Sequence, residues 1–134
     1  MTTTAESGTP ARRVRILGTG RAVPERVLSN DDLSRMVDTS DAWIRERTGI
    51  GARHVVARGQ QAASDLAAEA GRKACEAAGI SPSEIDCIIC STISGDMPLP
   101  ACAVYVQRKL GAAPSCPAFD LAALLRDLLD GESV

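Results

Sequence analysis

Trp43 and Arg47 are the two side chains of this sequence best suited to holding a ligand. They lie four residues apart in the segment DTSDAWIRERTGI (38–50), so a helix would place them on one face. An indole beside a guanidinium makes a stacking surface for a flat ring, and the guanidinium also offers forked donors for phosphate. The pair therefore predicts a ligand with a nucleotide-like end.

The segment around this pair has the signals of a genuine helix. Asp38, Thr39 and Ser40 are all suitable N-cap residues, Asp41 favours the first turn, and Gly49 can end the helix. A second interpretation stays open on composition alone. In it the tryptophan folds back against the body of the protein, and the arginines are simply solvated.

Cysteine usage points away from disulfide and metal chemistry. The five cysteines are odd in number and irregular in spacing, which does not predict a disulfide framework. Cys87 and Cys90 form a C-x-x-C motif, but residues three apart on a strand point to opposite faces. We therefore expect small buried apolar side chains and no metal site.

Composition excludes several other classes of protein. The 134 residues suit one small domain, and the 45% hydrophobic content supports a packed core. A net charge of −2 and only three aromatic residues argue against a nucleic-acid partner. Residues 1–12 lack the apolar run of a signal peptide and are expected to form a disordered tail. Without a membrane-spanning apolar run, the sequence predicts a soluble cytoplasmic protein and no membrane partner.

The pattern of the chain predicts strands that alternate with helices. Such alternation indicates parallel pairing through crossovers, so the predicted class is α/β. Small residues in one predicted helix, from Ala67 through Gly71 to Ala74, predict close approach of a second helix. The predicted elements are a strand at 14–18 with a Gly-Thr-Gly turn, a helix capped by Ser29 or Asn30 with Leu33, Met36 and Val37 on one side, the Trp43 helix, a strand or extended connection within 51–63, a helix at 65–78 capped by Ser64, a buried strand at 85–93, a helix at 101–110 and a buried strand at 117–122.

Several blocks of the sequence occur in a distinctive order: ILGTGRAVPERVLSNDDL, residues 38–50, Arg53-His54, EIDCIICSTIS, VQRKLG and CPAFDLAA. Together these blocks resemble beta-ketoacyl-acyl carrier protein synthase III, a condensing enzyme of the thiolase superfamily. The resemblance covers residues 14 to 123 and implies two similar halves in α-β-α-β-α layers, assembled as a dimer. Only most of the first half is matched, so residues 13–123 are expected to form an incomplete half-domain of mainly parallel buried strands, with an uncovered sheet edge and apolar face.

The resemblance assigns binding roles to four residues. Thr39, Trp43 and Arg47 match positions that hold the coenzyme A (CoA) end of an acyl-CoA substrate. The indole would stack on adenine, Arg47 would stack or meet phosphate, and Thr39 would make a polar contact. Leu99 matches a bulky apolar position that helps to close the acyl pocket of the dimer partner, with a plain core role as the alternative. Acyl-CoA is a substrate here, and no cofactor is implied.

The resemblance assigns no catalytic residue to this chain. Family members use a cysteine, a histidine and an asparagine to take an acyl group from acyl-CoA and condense it with malonyl-acyl carrier protein. The cysteine position is Leu125 here, and the sole histidine, His54, matches a non-catalytic position. Neither Cys102 nor Cys116 is expected to substitute, because neither lies at the strand-to-helix junction.

The function expected from the resemblance is a synthase III-type acyltransferase of fatty acid or polyketide biosynthesis. Its family partners are the acyl carrier protein and a second copy of the chain. Similarity ends abruptly, and 124–134 diverges, so we expect a truncated or frame-shifted fragment that is inactive alone. One alternative is a non-catalytic partner that dimerises with an intact synthase and modulates it. Another is a free-standing CoA-binding module.

Overall fold

A computed structural model describes residues 14–57 and 59–122 of the chain. The predicted tail at 1–12, the divergent end at 124–134 and the Leu125 position all lie outside these ranges. The described residues form two α/β units, and each is built around one pair of short strands. None of the helices described there is long and apolar enough to cross a membrane.

The first unit consists of two antiparallel strands that enclose two short helices. Its elements are β1 (Val27–Ser29), α1 (Asn30–Ser34), α2 (Asp41–Thr48) and β2 (Ala52–His54). In the ladder, Val27 lies opposite His54 and Ser29 opposite Ala52. Strand pairing therefore brings the two ends of the α1–α2 segment together. The sequence predicted an extended stretch after residue 51 but missed β1.

The second unit is a parallel strand pair with helices packed beside it. Its elements are α3 (Ala63–Ala78), a short 3-10 helix (Pro82–Glu84), β3 (Ile88–Cys90), α4 (Cys102–Leu110) and β4 (Ala118–Asp120). β3 pairs with β4 in parallel, so Ile89 lies beside Phe119. The α/β class and the parallel pairing through a helical crossover are thus confirmed. The 3-10 helix was not predicted.

The core lies mainly between α3 and α4, and it depends on small side chains. Buried residues there include Ala68 and Cys75 on α3, with Ala103 and Val106 on α4. At Gly71, a methyl group in place of the hydrogen would meet Leu110 at 3.4 Å, ordinary van der Waals contact. The predicted close approach of a second helix to the small residues of α3 is therefore confirmed.

Gly18 and Gly20 serve a close approach, and the predicted Gly-Thr-Gly turn is wrong. The chain passes residues 18–20 without forming a turn. A Cβ atom on Gly20 would lie 2.2 Å from the backbone oxygen of Ala70, and one on Gly18 would lie 2.5 Å from that of Ala74. Only glycine lets this segment lie so close to α3.

The predicted strands are shorter or less buried than expected. Residues 14–18 form no strand, because no strand of the described chain lies beside them to pair with their backbone groups. In β3 and β4, α4 covers one face, but Ile89 is 57% exposed and Phe119 is 45% exposed on the other. Burial on both faces is thus wrong for these strands, while the expected uncovered apolar face is present.

Two helices depart from their predicted boundaries. α1 ends at Ser34, so Met36 and Val37 lie in the turn after it and are exposed instead of sharing its buried side. α3 begins at Ala63, two residues earlier than predicted, and Ser64 is not its cap. Ser64 is fully buried, and its backbone N–H donates to Oδ1 of Asp96 at 2.9 Å. A carboxylate from the loop after β3 replaces the local cap.

Candidate functional site

Local residues define both ends of helix α2, as the sequence predicted. Oγ of Ser40 accepts the backbone N–H of Trp43 at 3.2 Å, which satisfies one free donor of the first turn. Gly49 ends the helix in the left-handed conformation at φ 70°, and its N–H donates to the carbonyl of Arg45. Ile44 is the only buried side chain of α2, so the helix rests on a narrow face.

The opposite side of α2 presents Trp43 and Arg47 together. The guanidinium carbon of Arg47 lies 4.8 Å from the centroid of the Trp43 ring, within the range of a cation–π contact. Trp43 is 53% exposed. The predicted shared face is confirmed, and the alternative in which the indole folds back into the body is wrong.

A shallow open depression of about 600 Å³ lies beside the indole. Thr39 is half-buried in its wall, so the structure brings Thr39 and Trp43 to one surface, with Arg47 stacked at the ring. This surface can receive a flat ring against the indole, with a hydroxyl and a cation close by. The depression is lined by Leu33, Val37, Asp38, Thr39, Ser40, Trp43 and Ile44.

Leu99 lies apart from this surface, in the loop between β3 and α4. It is 83% exposed and does not line the depression. The alternative of a plain core role is therefore wrong for the described part of the chain.

Asn30 supports helix α2 from behind the surface, although its sequence context predicts only a possible helix cap. Ser29 is the true cap of α1, where its hydroxyl and the Asp32 carboxylate form a reciprocal capping box. Asn30 is instead buried, and its Nδ2 donates to Oδ1 of Asp41 at 2.7 Å. This hydrogen bond lowers the pKa of the Asp41 carboxyl, and the hydrogen bond from Arg45 lowers it further by a smaller amount. Nothing in the local sequence distinguishes Asn30 from an ordinary cap.

A second polar cluster joins α3, α4 and the loop after β3. Nζ of Lys109 lies 2.6 Å from Oδ1 of Asp65 and 2.5 Å from Oγ of Ser64, which in turn donates to Asp96. A serine beside a lysine can form a nucleophile pair. Here Ser64 is inaccessible and Lys109 is ion-paired with carboxylates, so the cluster ties three elements together without offering a reactive group.

The five cysteines follow the expected burial with one exception. Cys75, Cys102 and Cys116 are buried and Cys90 is partly buried, but Cys87 is exposed because it lies just before β3. Burial, reinforced by the neighbouring Cys102, raises the pKa of the Cys90 thiol to about 11. Such a thiol carries almost no thiolate near neutral pH, so it is a poor nucleophile.

Cys102 begins α4, a position that can activate a thiol, but its surroundings prevent this. The Asp120 carboxylate at the end of β4 accepts the N–H groups of Cys102 at 2.7 Å and Ala103 at 2.8 Å. The positive end of the helix is thus already occupied by a negative group. Because Cys102 is also buried, it cannot reach a substrate.

Comparison with known proteins shows what this chain is similar to. No protein-family model matches it. Over 112 residues it is 56% identical to a beta-ketoacyl-[acyl-carrier-protein] synthase III of Symbiobacterium thermophilum, a match covering 84% of this chain and 33% of the relative. Over most of its own length, the chain is thus similar to beta-ketoacyl-acyl carrier protein synthase III enzymes. It spans about a third of the length of the relatives it matches.

Solved structures of this synthase family agree with the fold. The 3-oxoacyl-[acyl-carrier-protein] synthase III of Aquifex aeolicus superposes with a TM-score of 0.75 at 39% identity, covering 81% of this chain and 34% of that one. The priming beta-ketosynthase of the R1128 polyketide pathway gives a TM-score of 0.74 at 33% identity, covering 85% of this chain and 35% of that one. The described residues are therefore an incomplete thiolase-like α/β fold.

Proposed function

We propose that this chain supplies the CoA-entrance part of a synthase III-type condensing enzyme. The observation that carries the proposal is the exposed indole of Trp43 with the Arg47 guanidinium 4.8 Å from its centroid. The adenine of CoA would stack on the free area of the indole, and Arg47 would meet its phosphates. Thr39, in the wall of the adjoining depression, would give a polar contact.

The whole-family reaction would transfer an acyl group from acyl-CoA to a cysteine and condense it with malonyl-acyl carrier protein, with loss of carbon dioxide. The acyl carrier protein and a second copy of the chain would be the partners. Leu99, exposed in the loop before α4, would border the acyl pocket of that second copy. The position expected for the reacting cysteine holds Leu125, which has no nucleophilic atom. We therefore propose that the 134-residue chain alone forms no acyl-enzyme.

Calorimetric titration of CoA into the 134-residue chain tests the binding proposal. We expect measurable binding that Trp43→Ala weakens by about tenfold, since stacking of a base on an aromatic ring is worth roughly 1–3 kcal/mol. Phosphopantetheine, which lacks the adenine, provides the matched ligand, and its affinity should not respond to Trp43→Ala. Absence of binding to the parent chain would refute the proposal.

Incubation with radiolabelled acetyl-CoA tests the catalytic part separately. We expect no label on the protein after denaturation, because Leu125 cannot form a thioester and the accessible Cys87 lies outside the proposed entrance. A hydroxylamine-labile adduct on any cysteine would contradict this expectation. The two experiments can fail independently, since CoA binding does not require acyl transfer.

A second candidate function is a non-catalytic partner that associates with an intact synthase of the same family. The uncovered apolar face of β3 and β4 favours it, because Ile89 and Phe119 lie side by side and are about half exposed. We expect co-purification with a full-length homologous synthase, and Phe119→Ser should weaken it. If the two proteins elute separately at micromolar concentration, this candidate fails.

A further inference from the structure

We propose that Asn30 is a positioning residue for the Trp43–Arg47 surface, which it never touches. The inference rests on the proposed CoA role of that surface, and it concerns how α2 is held in place. The contacts from which we argue it all lie within the first unit and do not depend on CoA binding. Asn30 is the only asparagine of the chain, and its side chain is 1% exposed.

The Asn30 side chain joins the two ends of α2. Its Nδ2 donates to Oδ1 of Asp41, the first residue of the helix, at 2.7 Å. The same Nδ2 donates to the backbone oxygen of Ile50, just after the helix, at 2.8 Å. One amide group therefore fixes the start and the end of the element that carries Trp43 and Arg47.

Arg53 determines which way the Asn30 amide points. Nη2 of Arg53 lies 2.7 Å from Oδ1 of Asn30, and a guanidinium can only donate. The amide oxygen must then face Arg53, while the NH2 group faces two acceptors, the carboxylate of Asp41 and the carbonyl of Ile50. All three contacts agree on one orientation, so the amide has a single satisfied arrangement.

The helix has few other means of attachment. Ile44 is its only buried side chain, and the Asp41–Arg45 ion pair lies within the helix itself. An eight-residue helix is marginal without tertiary contacts. A buried amide bonded to a carboxylate, a carbonyl and a guanidinium is therefore a principal constraint on where the indole lies.

The single tryptophan allows a direct test that does not depend on CoA. In the full 134-residue chain, the fluorescence anisotropy decay of Trp43 reports the local mobility of α2. We expect Asn30→Ala to lower the anisotropy and to speed amide exchange in residues 41–48. We also expect it to weaken CoA binding by about tenfold.

Gln107→Ala is the matched control. Gln107 also bridges two carbonyls through its amide, donating to Ala113 at 2.9 Å and Cys116 at 2.6 Å, but it lies on α4. We expect this variant to lose stability without changing the Trp43 anisotropy. If Asn30→Ala folds, and its Trp43 anisotropy and its amide exchange in α2 are the same as in the parent chain, the inference is wrong. An equal response to both variants would also overturn it.

If Asn30→Ala does not fold, Asp41→Ala compared with Arg45→Ala decides the matter. The first variant removes the bond to Asn30 as well as the ion pair, and the second removes only the ion pair. A lower Trp43 anisotropy in the first alone supports the inference, and identical values refute it. A parent chain that fails to bind CoA would sink the proposed function, while the anisotropy result would still judge the role of Asn30.

Discussion

The guanidinium carbon of Arg47 lies 4.8 Å from the centroid of the Trp43 ring, on a helix that buries neither side chain. A cation–π contact at such an exposed place is worth only about 0.5–1 kcal/mol. The contact is therefore too weak to be what holds α2 in the fold. It holds side by side the two groups that we propose to bind CoA.

The first prediction follows from this arrangement and concerns Arg47→Met. Unfolding stability should change by no more than about 1 kcal/mol, because only an exposed contact is lost. Affinity should fall more for CoA than for 3′-dephospho-CoA, since the arginine is proposed to meet phosphate. Titration calorimetry with both ligands measures the difference.

Arg45→Met is the matched control for Arg47→Met. Arg45 lies on the same helix, but its Nε pairs with Asp41 at 2.8 Å and does not stack on the indole. Its replacement should leave the ratio of the two affinities unchanged. Equal loss of affinity for both ligands in Arg47→Met would argue against a phosphate contact.

The second prediction contrasts two glycines at contacts of helix α3. Gly20 lies against the backbone of α3, and Gly71 lies on α3 opposite Leu110. Gly20→Ala would place a Cβ atom 2.2 Å from the backbone oxygen of Ala70, which cannot move without shifting α3. Gly71→Ala would meet only the Leu110 methyl groups, at 3.4 Å or more, and gains helix propensity. We expect urea unfolding to show a loss of about 1–3 kcal/mol for the first and a gain of up to about 1 kcal/mol for the second.

Comparable stabilities for the two glycine variants would contradict this prediction. The sign of each effect is the informative quantity. Crowding of a new Cβ atom against a neighbouring backbone oxygen is costly. A glycine inside a helix destabilises it relative to alanine, because glycine loses more conformational entropy on folding. Where a methyl group fits, alanine should therefore be more stable. Far-UV circular dichroism on both variants would establish that α3 is intact before their midpoints are compared.

Local signals in the sequence predicted the elements whose ends are fixed by neighbouring residues. Ser40 and Gly49 define α2, and Gly111 ends α4, each through bonds that span only a few positions. The capping box at Ser29 is of the same kind. Because these interactions are complete within one short segment, spacing alone was enough to find them and to place Trp43 beside Arg47.

Interactions between distant segments could not be read from spacing. Asp96 caps α3 from 32 positions away, and Asp120 caps α4 from beyond that helix. Asn30 looked like a local cap, whereas its partners are Asp41, Ile50 and Arg53. The prediction that β3 and β4 are buried on both faces was wrong for a related reason. An apolar run indicates that a strand could be buried, but it does not show which other element covers it.

The third prediction is that acid weakens the fold through Asp96. Burial raises the pKa of this carboxyl, but hydrogen bonds from Ser64 and the nearby Lys109 outweigh it, so the pKa ends below the ordinary value of 3.8. The unfolded chain then binds a proton more readily than the folded one. The stabilisation is complete above about pH 4 and is lost as pH falls through the lower folded pKa.

Asp96→Asn tests this acid dependence. The variant should be less stable at neutral pH, and its urea midpoint should fall less steeply than that of the parent as the pH falls below about 4. Glu46→Gln is the control, since Glu46 is an exposed carboxylate of α2. A parent and an Asp96→Asn variant with parallel pH profiles would show that Asp96 does not contribute.

The fourth prediction concerns the reactivity of the cysteines. Cys87 is the exposed thiol among the five, whereas Cys75, Cys102 and Cys116 are buried and the pKa of Cys90 is raised to about 11. Alkylation by iodoacetamide near pH 8, followed by peptide mass analysis, should modify Cys87 first. Cys87→Ser should remove this fast phase, and Cys75→Ser should leave it in place. Rapid modification of Cys102 would instead revive that thiol as a nucleophile, because it would show that reagents reach the start of α4.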